Sequence, residues 1–271
     1  MKNTLFWLSA ILIFVFWPLS FVIANRDSWI SFAFATLVIL VGWILYQKKF
    51  KYHYLPYLVL PVIHPALLFF PIVMFLFYLK GMPLKVMFSC GTILFVILIF
   101  TWKSFFAYSI FTPDPLANDT LVKKITLIPN RQLARIFENK TTIPVDKLKT
   151  NIFQSLDFNN YFFGFHPQEI GGNQNLTKFS FLTIVPFLFG LFCIIENIHK
   201  KWLLAILFSA ILSIGLINNQ DRFDSLLFIP ISLICFFGLK KITYQNNQYL
   251  SWIFPTIFIP ISLLEIVRIL L

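Results

Sequence analysis

Charge is what this chain has least of. Only 12% of its 271 residues are Asp, Glu, Lys or Arg, where a soluble domain carries about 25%. Hydrophobic residues make up 58% and the mean hydropathy is +0.80. That balance excludes an ordinary water-soluble globule. Acidic residues are the scarcer sign, 11 against 22 Lys and Arg. The excess of +11 does not point to nucleic acid, because the basic residues sit at the ends of apolar runs and not in one stripe with stacking aromatics. Cysteine is nearly absent. Cys90, Cys193 and Cys235 are far apart, each inside an apolar run, which excludes a disulfide framework or a thiolate metal site and reads as small buried apolar residues. There is no Walker A loop, dinucleotide fingerprint, His-Glu-x-x-His or nucleophile elbow. No internal repeat is visible.

What is there is a series of seven or eight long apolar runs. Residues 5–24, 29–47, 86–102, 179–195, 202–218 and 251–264 are free of charge, with Lys103 just past the third. A bilayer core about 30 Å thick needs roughly 20 such residues in a helix. The expected fold is all-α, a polytopic transmembrane bundle of about 7–9 segments. The domains read as 1–103, N-terminal membrane helices; 104–178, an external helical insertion; and 179–271, C-terminal membrane helices. The first apolar stretch exceeds the roughly 7–15 residues of a secretory leader, so a retained first helix is expected, although Ala24 is a cleavage-compatible residue.

Lysine placement orients the bundle. Lys2, Lys48, Lys49, Lys51, Lys80, Lys85, Lys200, Lys201, Lys240 and Lys241 cluster in the N-terminus and four short linkers, the positive-inside pattern. Crossings must then come in even numbers between these linkers. Between Lys51 and Lys80 lies one apolar stretch, 55–79, with Pro56, Pro61, Pro65 and Pro71. A straight helix of 25 residues is only about 37 Å long, one crossing. Two short helices or a re-entrant pair, broken near His64-Pro65, restore the count. A single kinked span would instead put half of the basic linkers on the far side. With the pair, Ser104–Lys178 is extracytoplasmic and shares its side with Arg26-Asp27 and Asp221–Asp224.

The insertion holds six acids, Asp114, Asp119, Glu138, Asp146, Asp157 and Glu169, against eight basic residues. Val145, Leu148, Ile152, Phe153 and Leu156 have helical spacing, and Leu133, Ile136 and Phe137 suggest a second amphipathic helix after Asn130. Either can lie in the membrane interface or pack over the bundle. The densest polar group is Asp157-Phe-Asn159-Asn160-Tyr161-Phe-Phe-Gly164-Phe-His166-Pro-Gln168-Glu169. Its carboxylates and histidine suit acid–base work or a divalent cation; its aromatics equally suit interfacial anchoring. Asp221 and Asp224 at i, i+3 suit a helix N-terminus or, with Asp27, an outer acidic site. His64 stands at membrane depth, where ionisable groups are functional candidates or satisfy a carbonyl freed by Pro65. Three Asn-x-Thr triplets begin at Asn118, Asn139 and Asn175; an Asn-rich sequence makes such triplets by chance, and nothing marks the chain as eukaryotic.

His64-Pro-Ala-Leu-Leu-Phe-Phe-Pro-Ile-Val-Met-Phe-Leu-Phe-Tyr-Leu-Lys80, with the basic turn after it, resembles the middle helices of polyprenol-dependent glycosyltransferases of the multi-span GT-C type. Asp221-Arg222-Phe223 opening a late helix is similar to them too. The resemblance covers about a quarter of the chain. In that family an acidic residue on the first outer loop, often an Asp-Glu pair, acts as base or metal ligand. Asp27 matches that position without a second acid. The resemblance implies a bacterial cytoplasmic-membrane protein acting on a polyprenyl-phosphate-linked sugar. Its candidate catalytic residues are Asp27, Asp221, Asp224, His166 and Glu169, and its candidate substrate-binding residues are Arg131, Arg135, Asn160, Tyr161 and Arg222. The loops Ile128–Phe137 and Asn159–Glu169 also look like those of small uncharacterised bacterial membrane proteins. Membrane lipids are expected partners; a non-catalytic scaffold and a small transporter built on His64 are the alternative expectations.

Overall fold

The computed structural model describes residues 2–23, 29–50, 52–79, 82–113, 115–127, 139, 141–163, 178–196, 200–218, 224–244 and 248–270. Among them the chain is all-α, with one isolated antiparallel bridge between Ser109 and Ile217. Helix α1 is Lys2–Ile23, α2 Trp29–Gln47, α3 Leu60–Ile63, α4 Phe69–Tyr78, α5 Leu84–Tyr108 and α6 Pro115–Leu127. Then come α7 Thr142–Leu156, α8 Ile184–Glu196, α9 Lys200–Gly215, α10 Phe228–Tyr244 and α11 Gln248–Leu270. Among the described residues four stretches are long and apolar enough to cross a membrane, Asn3–Ser20, Leu84–Tyr108, Ser225–Tyr244 and Ser251–Leu270. Ala33–Gln47, Pro65–Tyr78 and Phe181–Ile194 are apolar but shorter.

The prolines cut the 55–79 stretch into short pieces. Pro56 and Pro65 each open a 3-10 turn, Leu55–Val59 and Pro65–Leu68, and Pro61 opens α3. A residue before proline is pushed out of the helical region, and His64 is extended, with φ −151 and ψ 129. Its Nδ1 accepts from Ala66 N–H at 3.2 Å, so the ring caps the turn that the next proline starts. The two arms fold together. Tyr57 meets Phe70 at 5.6 Å between ring centroids, and Tyr54 stacks on Tyr78 at 6.3 Å. The His64 apex reaches Tyr108 at the end of α5 (4.8 Å), while the hairpin mouth lies near Cys90, close to the start of α5.

Ring contacts fix the polarity of the bundle. At one end Phe6 of α1 packs on Tyr244 of α10 (5.5 Å), and Trp43 of α2 on Trp202 of α9 (4.7 Å). The Tyr244 hydroxyl donates to Asn3 Oδ1 at 3.0 Å. Lys48, Lys49, Lys200, Lys201, Lys240 and Lys241 belong to the helix ends gathered there. At the other end Trp17 meets Tyr161 (5.7 Å), Phe179 (5.2 Å) and Phe228 (5.5 Å). The basic linkers and the insertion therefore occupy opposite ends.

The centre is the crossing of α8 on α10. A Cβ added to Gly238 would lie 1.7 Å from the Pro186 carbonyl oxygen, and one on Gly190 2.0 Å from that of Ile234. The two backbones touch, as small residues allow where lipid supplies no hydrophobic drive between helices. Gly42 does the same for α2, where a Cβ would meet the Tyr57 hydroxyl at 2.1 Å. That hydroxyl accepts from Trp202 Nε1–H at 3.1 Å, linking α2, the hairpin and α9.

Candidate functional site at the insertion end

Helix α7 is the foundation of this end. The last carbonyls of a helix lack intrahelical partners. Asn151 supplies them to α9: its Nδ2 donates to Gly215 O at 3.1 Å and to Ile217 O at 2.8 Å. Gly215 leaves room for Leu148 and Ile152, each 3.1 Å from where its Cβ would be. Lys147 donates to Asn218 Oδ1 at 3.2 Å, and Asn218 donates onward to Thr112. Backbone bonds Ile110 N–H to Leu216 O (3.0 Å) and Asn218 N–H to Tyr108 O (2.9 Å) tie the end of α5 into the same knot.

This docking turns α7 differently from its apolar spacing. Leu148 and Ile152 pack inward, but Asn151 and Ser155 are the buried residues, and Val145, Phe153 and Leu156 are exposed. The carbonyls at the end of α9 need a donor more than they need an apolar cover, so the polar edge wins the inward position.

Beyond α7 the chain makes a π turn, Asn159–Phe163. Asn160 Nδ2 donates to Gln154 O (2.9 Å), the Tyr161 hydroxyl to Ser155 O (2.8 Å), and Phe179 N–H to Tyr161 O (2.8 Å). Asn160 and Tyr161, expected to hold substrate, are thus buried and bound to the backbone of their own segment. Lys178 is only 5% exposed, its Nζ 5.2 Å from the Tyr161 ring centroid and 5.6 Å from that of Trp17. Burying an ammonium is costly, and a desolvated cation–π contact returns about 2 kcal/mol. The aromatic cage is one contributor to its placement.

An open cleft of about 690 Å³ runs between α6 and α7, lined by Lys124, Asp146, Lys149, Phe153, Asp157 and neighbours. Lys124 and Asp146 pair across it at 3.4 Å, and Asp157 Oδ1 accepts from Asn159 N–H at 3.0 Å. It presents both signs of charge beside one exposed ring, which suits a zwitterionic or polar group.

Of the other expected site residues, Asp27, Asp221, Arg222, His166, Glu169, Arg131 and Arg135 lie outside the described residues. Asp224 opens the 3-10 turn Asp224–Leu227, and its side chain is likewise outside them. The second amphipathic helix, at 130–137, is outside too. Trp17, Tyr161, Lys178 and Phe228 stand together at the insertion end. Among the described residues no three His, Cys, Asp or Glu side chains converge as a metal site. Asn151 and Lys178 were not among the sequence candidates. Asn151 left one sign, a strong hydrogen-bonding residue within the apolar spacing of a helix. No family model matches this chain, and neither a curated protein nor a solved structure matches it.

Proposed function

We propose that this chain is a multi-pass protein of the bacterial cytoplasmic membrane whose outward end handles a polyprenyl-phosphate-linked sugar. The observation that supports it most is the polarity of the bundle: lysine-rich helix ends at one pole, the insertion at the other. Under the positive-inside rule the insertion is then extracytoplasmic. Nine traverses, α1, α2, the two proline-rich arms, α5, α8, α9, α10 and α11, are consistent with that assignment. Asp27, Asp221 and Asp224, with His166 and Glu169, are the acid–base candidates; a divalent cation held by them would assist a phosphate leaving group. Lys124 and Lys149 of the cleft are candidates for holding phosphate oxygens.

Two measurements test it. In a chain whose cysteines are replaced by alanine, Thr141→Cys reacts with a membrane-impermeant maleimide on intact cells, and Lys240→Cys only after permeabilisation; the reverse pattern sinks the orientation. In nanodiscs, Asp27→Ala and Asp224→Ala abolish transfer from a polyprenyl-phosphate sugar; unchanged transfer removes the catalytic reading. The outward Val145, Phe153 and Leu156 of α7 favour one second reading, a non-catalytic assembly partner. A photocrosslinker at Phe153 that captures one discrete envelope protein supports it.

A further inference from the structure

The lining of the cleft between α6 and α7 is ordered. Asp146, Lys149, Thr150, Phe153 and Gln154 recur at three- and four-residue steps, so they form one stripe along α7, with Asp157 just past its end. Leu148, Asn151, Ile152 and Ser155 form the stripe that docks on the bundle. At about 100° per residue the two stripes lie about 180° apart. The cleft therefore sits on the side of α7 turned away from α9, and Lys124 of α6 completes it. Asp146, Lys149, Thr150 and Phe153 are exposed to whatever enters. The volume of about 690 Å³ falls within the about 300–1,000 Å³ of small-molecule sites.

Charge is sorted along that stripe. Asp146 is paired with Lys124 at 3.4 Å. The next turn carries two donors, Lys149 and Thr150, and Lys149 has no ion-pair partner among the described residues. The turn after it carries the Phe153 ring, 63% exposed, and Gln154, whose amide oxygen lacks a partner among the described residues. Asp157 closes the row, with Oδ1 held by Asn159 N–H at 3.0 Å. A cation, a ring face and an anion thus follow one another, and the four charged side chains sum to zero. A lone anion at Lys149 would have two carboxylates for neighbours, and a lone cation at Asp157 two ammoniums; a dipolar ligand meets an opposite charge at each end. Lysine holds phosphate as a point charge, and ring faces attract ammonium groups. The exposed Lys124–Asp146 pair is weak, so Lys124 is free to turn to a ligand. Lys124, Lys149 and Thr150 then offer three donors, which match the terminal oxygens of a phosphate monoester better than the two of a carboxylate. We propose that the cleft binds a phosphate–ammonium zwitterion of the phosphoethanolamine or phosphocholine kind, its phosphate at Lys149 and Thr150 and its ammonium between Phe153 and Asp157. This site goes beyond the lipid-linked sugar reading and shares with it only the two lysines. A phospholipid headgroup and a soluble zwitterion carry this chemistry alike.

Phosphocholine and phosphoethanolamine are the probes, with the protein in phosphatidylglycerol nanodiscs. Saturation-transfer NMR is expected to show contact with the methyl protons of the first or the methylene protons of the second. Lys149→Gln and Asp157→Asn are each expected to weaken the affinity about three- to fivefold, as the loss of one exposed ion pair implies. Lys149 is exposed, and Asp157→Asn keeps an acceptor for Asn159 N–H, so both variants retain the fold. No contact with either probe overturns the proposal. So does an affinity that falls in one variant alone, the mark of a plain anion or cation site, or in neither. The parent protein gives a check without variants: inorganic phosphate and methylammonium should each displace the bound probe, and displacement by only one of them overturns it too. Phosphatidylethanolamine added to the disc then names the source. Reduced contact with the soluble probe assigns a lipid headgroup; unchanged contact assigns a soluble zwitterion.

Discussion

Helices α5 and α10 have nearly the same composition and opposite surroundings. Both are long and apolar, yet α5 buries Cys90, Leu94 and Phe105 while most of α10 is buried. Both carry small residues; the difference lies in what those residues meet, a neighbouring backbone at Gly238 and nothing nearer than 3.9 Å at Gly91. Helix α5 turns Phe88, Phe95 and Phe100 outward. Helix α10 carries Ser232, Gly238 and Thr243 into the bundle. When the solvent is hydrocarbon, apolarity no longer separates inside from outside, and close backbone approach becomes the mark of the interior.

Two glycines in equivalent mid-helix settings break the comparison open. Gly238→Ala drives a Cβ to 1.7 Å from the Pro186 carbonyl oxygen, an atom that cannot move without moving α8. Overpacking against a side chain costs about 1–3 kcal/mol, and a backbone obstacle should cost more than about 3. Little monodisperse protein is expected from detergent extracts. Gly91→Ala on α5 meets nothing closer than Phe75 Cζ at 3.9 Å. There the better helix propensity of alanine should stabilise by about 0.5–1 kcal/mol. Similar thermal shifts for the two variants would contradict the separation of core from lipid face.

The next largest effect is expected at Asn151, where the same contrast runs across one helix. Asn151→Ala strips two donors from the carbonyls of Gly215 and Ile217. Leaving buried acceptors unmet costs about 1–3 kcal/mol each at most, so a loss of about 2–4 kcal/mol should appear as a lower melting temperature. Residues 113–178 should then be cut by a protease before the bundle is. A change of less than about 0.5 kcal/mol would mean that α7 is held by Leu148 and Ile152 alone.

How much of this could be read from the residues follows from the same physics. The all-α, membrane-spanning class was legible, because long charge-free runs have few other homes. The gathering of lysines at one pole was legible from the linkers. The number of crossings was not: among the described residues four stretches reach spanning length, and other apolar helices there are short or interrupted, as at His64, where the prolines dictate the break. The helix over Thr142–Leu156 was legible from its spacing, but which residues it buries was not: Asn151 and Ser155 are buried while Val145, Phe153 and Leu156 point out, and hydrophobic spacing carries no knowledge of the carbonyls that Asn151 must satisfy. The ring cluster of His53, Tyr54 and Tyr78 left no motif at all, because the three meet only after the arms close.

A smaller effect is expected from acid at the lysine-rich pole. Burial lowers the His53 pKa in the folded protein below the unfolded value, near 6.5. The unfolded chain then binds more protons than the folded one, so stability rises with pH through that window. The contribution is complete above about pH 6.5 and declines as the pH falls through the unfolded value toward the folded one. His53→Gln should flatten that part of the melting-temperature profile. A profile unchanged by the substitution would mean that the ring stays solvated despite its aromatic neighbours.

The smallest effect belongs to the ion pair on the outer side of α7. Lys124 and Asp146 are 3.4 Å apart with side chains 49% and 58% exposed. Water and salt screen such a pair, and its worth is at most about 0.5 kcal/mol. Asp146→Asn should leave the melting temperature within about 1 °C of the parent, with any difference erased in high salt. Asn151 and Asp146 then sit on one helix with effects several-fold apart. If Asp146→Asn matched Asn151→Ala, the cleft between α6 and α7 would be a closed, water-poor joint, and the division between a packed interior and a solvated rim would have to be redrawn through the insertion itself.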